Sequence, residues 1–190
     1  MQAPASTRPA GDRPAPELVG AAFRDLHADR LHGFALLLTL GDRPFAAALV
    51  GDALAAGSAR ADELRHPERA AAWLRERVLR VARSRHTSEA STALDRRHAL
   101  DLLAVELPVQ ASLATLTLRE RAVIIADAVE RLDRRDIASI VGLDGAGLAR
   151  LVERARRRYM AAYDSASGSD PLPDGPIVRR VRDAARRAMG

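Results

Sequence analysis

The sequence predicts an all-α protein in which an N-terminal three-helix bundle is linked to a C-terminal four-helix domain with a helix-turn-helix. Hydrophobic residues make up 47% of the 190-residue chain but aromatic residues only 3%, so leucine, valine and alanine must form most of the core. This composition favours helices over sheets. Apolar residues also recur at intervals of three and four over several stretches, and prolines or glycines stand where these stretches begin or end.

The first helical domain is predicted over residues 17–86. Residues 1–16 contain four prolines and no apolar period, so we expect a disordered leader there. The first helix is expected to run from Glu17 to about Leu40 and to end at Gly41-Asp42. Residues that fit one face of this helix are Leu18, Ala22, Phe23, Leu26, Arg30 and Phe34.

Prolines begin the next two helices of this domain. Pro44 suits a first helical turn, where its missing N–H is not needed, and the following apolar face holds Phe45, Leu49, Val50 and Leu54. Ala56–His66 has weak periodicity and is predicted to be a loop. Pro67 begins the third helix, with Trp73 expected to anchor the core. The arginines expected on its outer side are Arg75, Arg77, Arg80 and Arg83.

A linker is predicted over residues 87–98, because the stretch Ser84–Asp95 is polar and lacks an apolar period. The run Leu94–Glu106 is expected to form a helix that leads into the second domain, residues 99–163. Pro108 is expected to break this helix, since proline cannot donate the hydrogen bond that a helix interior needs.

Two short helices joined by a tight turn are predicted within the second domain. Thr117 and Glu120 have the spacing of a capping box just before an apolar run, so a helix should begin there. The next helix should end at Gly142, and Asp144 stands at the N-cap position of the helix Gly145–Tyr163. Helices in this order form a helix-turn-helix, whose second helix enters the DNA major groove. The inner face of that helix is expected to hold Leu148, Leu151, Val152, Ala155 and Tyr159.

The second helix of this motif is strongly basic. Residues 145–163 contain five arginines and a single acid, Glu153, and the chain as a whole has a net charge of +5. A polyanion would be attracted to such a helix. An ordinary helical hairpin with a solvated basic face, or an arginine-rich helix that binds an acidic protein, gives the same pattern. The residues predicted to contact DNA are Ala146, Gly147, Ala149, Arg150, Arg154, Arg157 and Arg158.

Both halves of the chain resemble parts of extracytoplasmic-function (ECF) sigma factors, the small sigma-70 family subunits that direct bacterial RNA polymerase to promoters. The similarity to region 4 of that family covers Leu113 to about Tyr159, although LuxR-type and other regulators have a similar motif. The upstream half resembles region 2, so the two patterns follow each other in the family's order. The segments that carry the resemblance are Phe23–Ala35, Ala47–Leu54, Ala72–Arg85, Leu118–Val123, Asp136–Leu143 and Glu153–Arg158.

The resemblance implies a DNA-binding transcription initiation factor whose partners are promoter DNA and the RNA polymerase core, at its clamp and flap, with an anti-sigma factor left open. It implies polymerase contacts at Leu49, Val50 and Asp52, and contacts to the promoter −10 region by the four outer arginines of the third helix. The chain departs from the family at Ala46–Ala48, where acids are usual. This departure motivates an alternative, a sigma-like regulator that binds DNA without productive polymerase engagement.

No pattern in the chain predicts catalysis. Cysteine is absent, and the five histidines have no paired metal-ligand spacing, with His27 and His32 expected to be solvated. We therefore expect no enzyme activity, cofactor, metal or small-molecule substrate. No signal peptide or transmembrane-length apolar run is present, so a cytoplasmic location is expected. Residues 164–176 are predicted to be a second linker and 177–190 a basic amphipathic helix, with DNA, a membrane surface, an acidic partner and the protein itself all open as its target.

Overall fold

The computed structural model describes residues 16–85 and 91–168, and the regular structure within these ranges is helical, as predicted. A π-helical turn, Ile125–Val129, continues the helix Leu118–Ile124. The last helix runs past Tyr163 to Ser167, so the start of the predicted second linker is helical. The rest of that linker and the predicted terminal helix lie outside the described residues. The helices are α1 (Pro16–Leu38), α2 (Arg43–Ser58), α3 (Pro67–Ser84), α4 (Ala93–Asp101), α5 (Leu107–Ala114), α6 (Leu118–Ile124), α7 (Arg134–Val141) and α8 (Gly145–Ser167).

Helices α2 and α3 begin where the local signals predict. The Asp42 side chain caps α2 by accepting a hydrogen bond from the backbone N–H of Phe45 at 3.1 Å, and Pro44 lies in the first turn. Pro67 is the first residue of α3. The predicted loop is shorter than expected, because α2 continues to Ser58. The predicted apolar face of α2 is buried at Phe45, Leu49, Val50 and Leu54.

The buried face of α1 is only partly the one predicted, since Phe23 and Phe34 are buried but Leu18 and Leu26 are not. Leu18 and Leu26 are 65% and 61% exposed, whereas Phe23, His27 and Leu31 are buried. The His27 ring lies 4.7 Å from that of Phe23. The predictions that Leu18 and Leu26 pack inward and that His27 is solvated were therefore wrong. The stripe that α2 and α3 cover is rotated around the helix from the inferred one.

The predicted linker contains a helix. Thr92 and Asp95 form a capping box that begins α4 within residues 87–98. This helix ends at Asp101, and the chain turns through Ala104, which has a φ of +54°. Pro108 then lies in the first turn of α5, so it helps to begin a helix and does not end one. The single helix Leu94–Glu106 was therefore a wrong prediction.

The two halves of the chain share one core. Helix α3 packs along α7, and α1 contacts α6 and the π-helical turn. Leu74 and Val78 of α3 belong to the same cluster of buried residues as Ile137 and Ile140 of α7. In the described ranges the helix-turn-helix is therefore packed directly on the N-terminal helices, which nothing in the sequence predicted.

One buried arginine links the two halves through backbone carbonyls alone. Arg121 of α6 donates hydrogen bonds to the carbonyls of Leu113 and Leu116, both at 3.0 Å, and to that of Leu38. The Leu113 and Leu38 carbonyls lie at the C-terminal ends of α5 and α1, where carbonyl groups lack helical partners and carry partial negative charge, and that of Leu116 lies in the connection to α6. Burial lowers the pKa of Arg121 to about 10, so the side chain still carries its charge at neutral pH.

Two ion pairs also cross between the halves. The guanidinium of Arg75 donates to both carboxylate oxygens of Glu130, which follows the π-helical turn, and to the carbonyl of Ala71 at 2.8 Å. Arg96 of α4 donates to the capping carboxylate of Asp42 at 3.0 Å. Charges are rarely buried without partners, and here the partners come from opposite halves of the chain.

Candidate nucleic-acid interface

The turn between α7 and α8 has the geometry that the sequence predicts. Gly142 ends α7 in the left-handed conformation, with a φ of +64°, and the N–H of Leu143 bonds back to the carbonyl of Ala138 at 3.1 Å. The carboxylate of Asp144 then caps α8 by accepting a hydrogen bond from the N–H of Gly147 at 2.6 Å. This turn fixes the direction in which α8 leaves α7.

Helix α8 is held to the protein along its inner face. The predicted apolar residues all pack inward, and Tyr159 is fully buried and lies parallel to the ring of Tyr163 at 6.3 Å. The main contacts of this face are with α5 and α6. The opposite face is therefore presented to solvent. The buried residues of the inner face are Leu148, Leu151, Val152, Ala155, Tyr159 and Tyr163.

The first turns of the outer face are small except for one arginine. Ala146 and Ala149 are exposed, and a Cβ at Gly147 would lie only 2.8 Å from the Asp144 carboxylate, so this position suits glycine. Arg150 is exposed and forms no hydrogen bond or ion pair with any residue that the structure describes. Its guanidinium is thus available to a ligand.

Arg154 and Arg158 are both bound by the same buried carboxylate. Glu120 is 1% exposed and accepts hydrogen bonds from Arg154 Nε and Arg158 Nη1, each at 2.9 Å, and from the backbone N–H of Thr117 at 3.0 Å. The arginine side chains keep 58% and 47% of their surface exposed. Burial alone would raise the pKa of Glu120, but these hydrogen bonds and the charge of Arg158 hold it below its ordinary value.

The remaining two arginines of α8 differ in burial. Arg157 is exposed and pairs with Glu153 one turn earlier at 2.9 Å, a type of pair that contributes little to stability. Arg156, which the basic pattern would place outside, is buried and donates to Asp127 of the π-helical turn at 2.6 Å. It anchors the helix and is not part of the outer face.

The start of α7 is also charged. Arg134 and Arg135, which were not predicted as site residues, are exposed in its first turn. Acids are present as well, since Asp133 caps the helix. Burial and the carboxylates of Asp133 and Glu68 raise the pKa of Asp136. The first turn of α7 is therefore mixed in charge, whereas residues 145–163 of α8 expose four arginines and one acid, Glu153.

Several residues assigned to polymerase and to the promoter −10 region are not at the surface. Leu49 and Val50, for which polymerase contacts were predicted, are buried in the core. Arg75 was predicted to face outward, but it is buried and bound to Glu130. Asp52 is half-buried and pairs with Arg77 at 3.3 Å.

The other predicted residues of α3 are more accessible. Arg80 is exposed and lies 3.5 Å from Glu76, and Arg83 is exposed without a partner among the described residues. Trp73 is only partly buried, and the guanidinium carbons of Arg60 and Arg77 lie 5.5 Å and 6.0 Å from its ring. Trp73 thus packs against the edge of the core and is covered by arginines.

The sequence did not predict that Glu120 binds two arginines of α8 or that Arg121 links the two halves of the chain. Glu120 was identified as a capping residue, yet the i, i+4 spacing of Arg154 and Arg158, which lets both reach one carboxylate, was not used. In residues 16–85 and 91–168 no group of three or more His, Asp or Glu side chains could hold a metal. Within the same ranges, none of the helices is both long and apolar enough to cross a bilayer.

Comparison of the chain with protein-family models, with curated proteins and with solved structures found no match.

Proposed function

We propose that this protein binds double-stranded DNA through α7 and α8 and acts in transcription. The observation that carries the proposal is the outer face of α8, where the exposed and unpaired Arg150 stands beside small residues in a helix whose other face is buried. A helix presented in this way by a helix-turn-helix can enter the major groove, and its first turns then meet the base edges.

The small residues support close approach to the groove. Ala146 and Ala149 add little height to the helix, and Gly147 adds none, so the backbone of the first turns can lie near the bases. Arg150 would then be the main side chain that reads sequence, because a guanidinium can donate two hydrogen bonds to guanine. Alanine methyl groups can contact thymine methyl groups but discriminate weakly.

The later arginines of the face suit the phosphate backbone. Arg154 and Arg158 both pair with Glu120, which partly neutralises their charges. Each arginine still has N–H groups that can donate to phosphate. Arg157 has the most exposed side chain of the three, at 73%. Such contacts would orient the helix without reading sequence. Arg134 and Arg135 of α7 would contact the backbone beside the groove.

Two transcriptional roles follow from different observations. The resemblance over both halves supports a sigma-type initiation factor, with a three-helix N-terminal unit for polymerase and a four-helix unit for DNA. The buried positions of Leu49 and Val50 and the packing of α3 on α7 favour the second role, a regulator that binds DNA without recruiting polymerase. Run-off transcription with purified core polymerase separates the two, because only the first role gives a promoter-dependent product.

DNA binding itself is tested by selecting duplexes for affinity and measuring fluorescence anisotropy with the best one. Arg150→Ala should cost about 1–3 kcal/mol and relax the base preference at one position. Arg157→Ala should weaken all duplexes alike and reduce the salt slope by about one. Arg43→Ala, which removes an exposed arginine from the start of α2, is the matched control and should have little effect. Binding that is unchanged in a combined Arg150→Ala and Arg154→Ala variant would instead favour an acidic protein partner.

A further inference from the structure

A surface of exposed leucines lies at the turn between α4 and α5. Six large apolar side chains are exposed in the described residues, and four of them fall between residues 94 and 107. Leu102, Leu103 and Leu107 are 66%, 40% and 52% exposed, and Leu94 of α4 is 76% exposed. We call the first three the leucine surface. A cluster of this kind is more informative than single exposed leucines, which are common.

The three leucines of the leucine surface are held outside the core, because neighbouring residues of the same turn are buried and hydrogen-bonded. Leu100, Val105 and Val109 are buried, and the N–H groups of Leu103 and Val105 both bond to the carbonyl of Leu100, at 3.0 Å and 3.1 Å. Gln110 Nε2 also donates to the carbonyl of Val105 at 2.7 Å. The turn is therefore fixed, with its leucines held in solvent.

Helix α8 packs on α5, which begins at this surface. Its Arg158 donates to the carbonyl of Thr115 at the end of α5 at 2.6 Å. Burial, Tyr163 and the Glu106 carboxylate all raise the pKa of Tyr159. Helices α5 and α8 thus pack against each other, and α5 begins at the leucine surface.

Buried polar atoms at this end of the molecule lack partners. Glu106 Oε2, Tyr163 Oη and Ser167 Oγ each lie out of solvent without a hydrogen bond to any described residue. Buried polar groups are normally paired. Glu106 Oε2 can only accept and therefore lacks a donor, whereas the hydroxyls of Tyr163 and Ser167 lack a partner of either kind.

The sequence after α8 has the matching chemistry. Residues 169–190 follow directly, and they contain apolar side chains at helical spacing (Ile177, Val181, Ala184 and Ala188) among five arginines. The eight residues 169–176 reach about 26 Å when extended, at ~3.3 Å per residue. The exposed carboxylate of Asp101 adjoins Leu102 in the chain, and its present partners are Arg97 at 3.9 Å and Gln110 at 3.3 Å.

We propose that the segment 177–188 of the same chain covers the leucine surface. Its apolar side chains would contact Leu102, Leu103 and Leu107, and its arginines would pair with Glu106 and Asp101. The contact would bury apolar area on both sides and supply the donors that the unpaired oxygens lack. This inference does not depend on DNA binding, and it selects one of the four targets that the sequence leaves open for this segment.

The absence of cysteine from the chain permits a direct test by disulfide trapping in the full-length protein. Leu102→Cys is combined with Val181→Cys, and the control combines Leu26→Cys with Val181→Cys. Leu102 and Leu26 are matched, at 66% and 61% exposed, but lie on different helical surfaces. Under mild oxidation the Leu102 pair should form the disulfide within one chain at least about tenfold faster than the Leu26 pair, because docking raises the local concentration.

Other outcomes would overturn the proposal. Equal rates for the two pairs would show that the segment has no preferred position, and disulfides between two chains would assign the leucine surface to a second copy. Deuterium exchange gives an independent reading without cysteines. Val181→Asp should raise exchange in peptides covering residues 101–108 and leave those from α1 unchanged. Unchanged exchange at 101–108 would also contradict the proposal.

Discussion

Replacing Arg75 with methionine should destabilise the protein far more than the same change at Arg77, two residues further along α3. The side chains of Arg75 and Glu130 are 4% and 13% exposed. Methionine would fill much of the volume above Phe34, whose ring lies 5.6 Å from the guanidinium carbon, but would leave the Glu130 carboxylate buried and unpaired. Removing one partner of a buried ion pair costs about 3–5 kcal/mol.

Arg77 is the matched control for this prediction. It pairs with Asp52 at 3.3 Å, but the two side chains are 26% and 34% exposed, so solvent screens their interaction. Exposed pairs contribute about 0–1 kcal/mol, and the contact with the Trp73 ring adds about 0.5–1 kcal/mol. Arg77→Met should therefore cost at most about 2 kcal/mol.

Urea unfolding measures both costs, with circular dichroism reporting helix throughout the chain and the fluorescence of Trp73, the single tryptophan, reporting on the N-terminal half. With a slope of about 2 kcal/mol/M, Arg75→Met should lower the midpoint by about 1.5–2.5 M. Both probes should shift together, because the pair joins the two halves. Glu130→Gln, alone and with Arg75→Met, gives the coupling energy. Equal costs at Arg75 and Arg77, or a shift in one probe only, would refute the reasoning.

Three further predictions follow from single sites. Gly142→Ala should lower the free energy of unfolding by about 1 kcal/mol, because Gly142 has a left-handed conformation. Gly41→Ala should lower it clearly more, because its Cβ would also lie 2.1 Å from the carbonyl oxygen of Arg96. Equal urea midpoints for the two variants would contradict this prediction. Glu120→Gln should steepen the slope of log binding constant against log salt concentration by about one or two, since it frees the charges of two arginines. A shallower slope would count against the proposed phosphate contacts. Burial and the charge of Arg75 lower the pKa of His27 from 6.5. As the pH drops from ~7 to ~5.5, the unfolded chain therefore binds the proton more readily than the folded protein, and the free energy of unfolding should fall. His27→Gln should flatten this dependence in urea midpoints measured across that range.

The features that the sequence predicted correctly depend on residues close together in the chain. The Thr117–Glu120 capping box, the left-handed Gly142 and the Asp144 cap each involve groups within three or four positions. Their hydrogen bonds can form before any tertiary contact exists. The helix-turn-helix could therefore be placed to within a few residues.

The errors concern contacts between distant segments. Arginine periodicity placed Arg75 in solvent, but its partner Glu130 comes from 55 positions away and covers it. The same cause explains Arg156, whose partner lies 29 positions earlier. Leu49 and Val50 had been assigned both to the core and to a partner surface, and only the first assignment was compatible with burial. The spacing of polar and apolar residues within a helix does not show which of its polar faces another helix will cover.

The position of Arg121 limits how the molecule can be divided. Cutting the chain between residues 85 and 91 would separate α4–α8 from the first three helices, and the C-terminal fragment would lose the Leu38 carbonyl and the α3 surface on which α7 rests. In this fragment the Arg121 guanidinium would lack one acceptor, and the apolar face of α7 that packs on α3 would be exposed. Transferring α7 and α8 to another protein should therefore require transferring the first three helices with them.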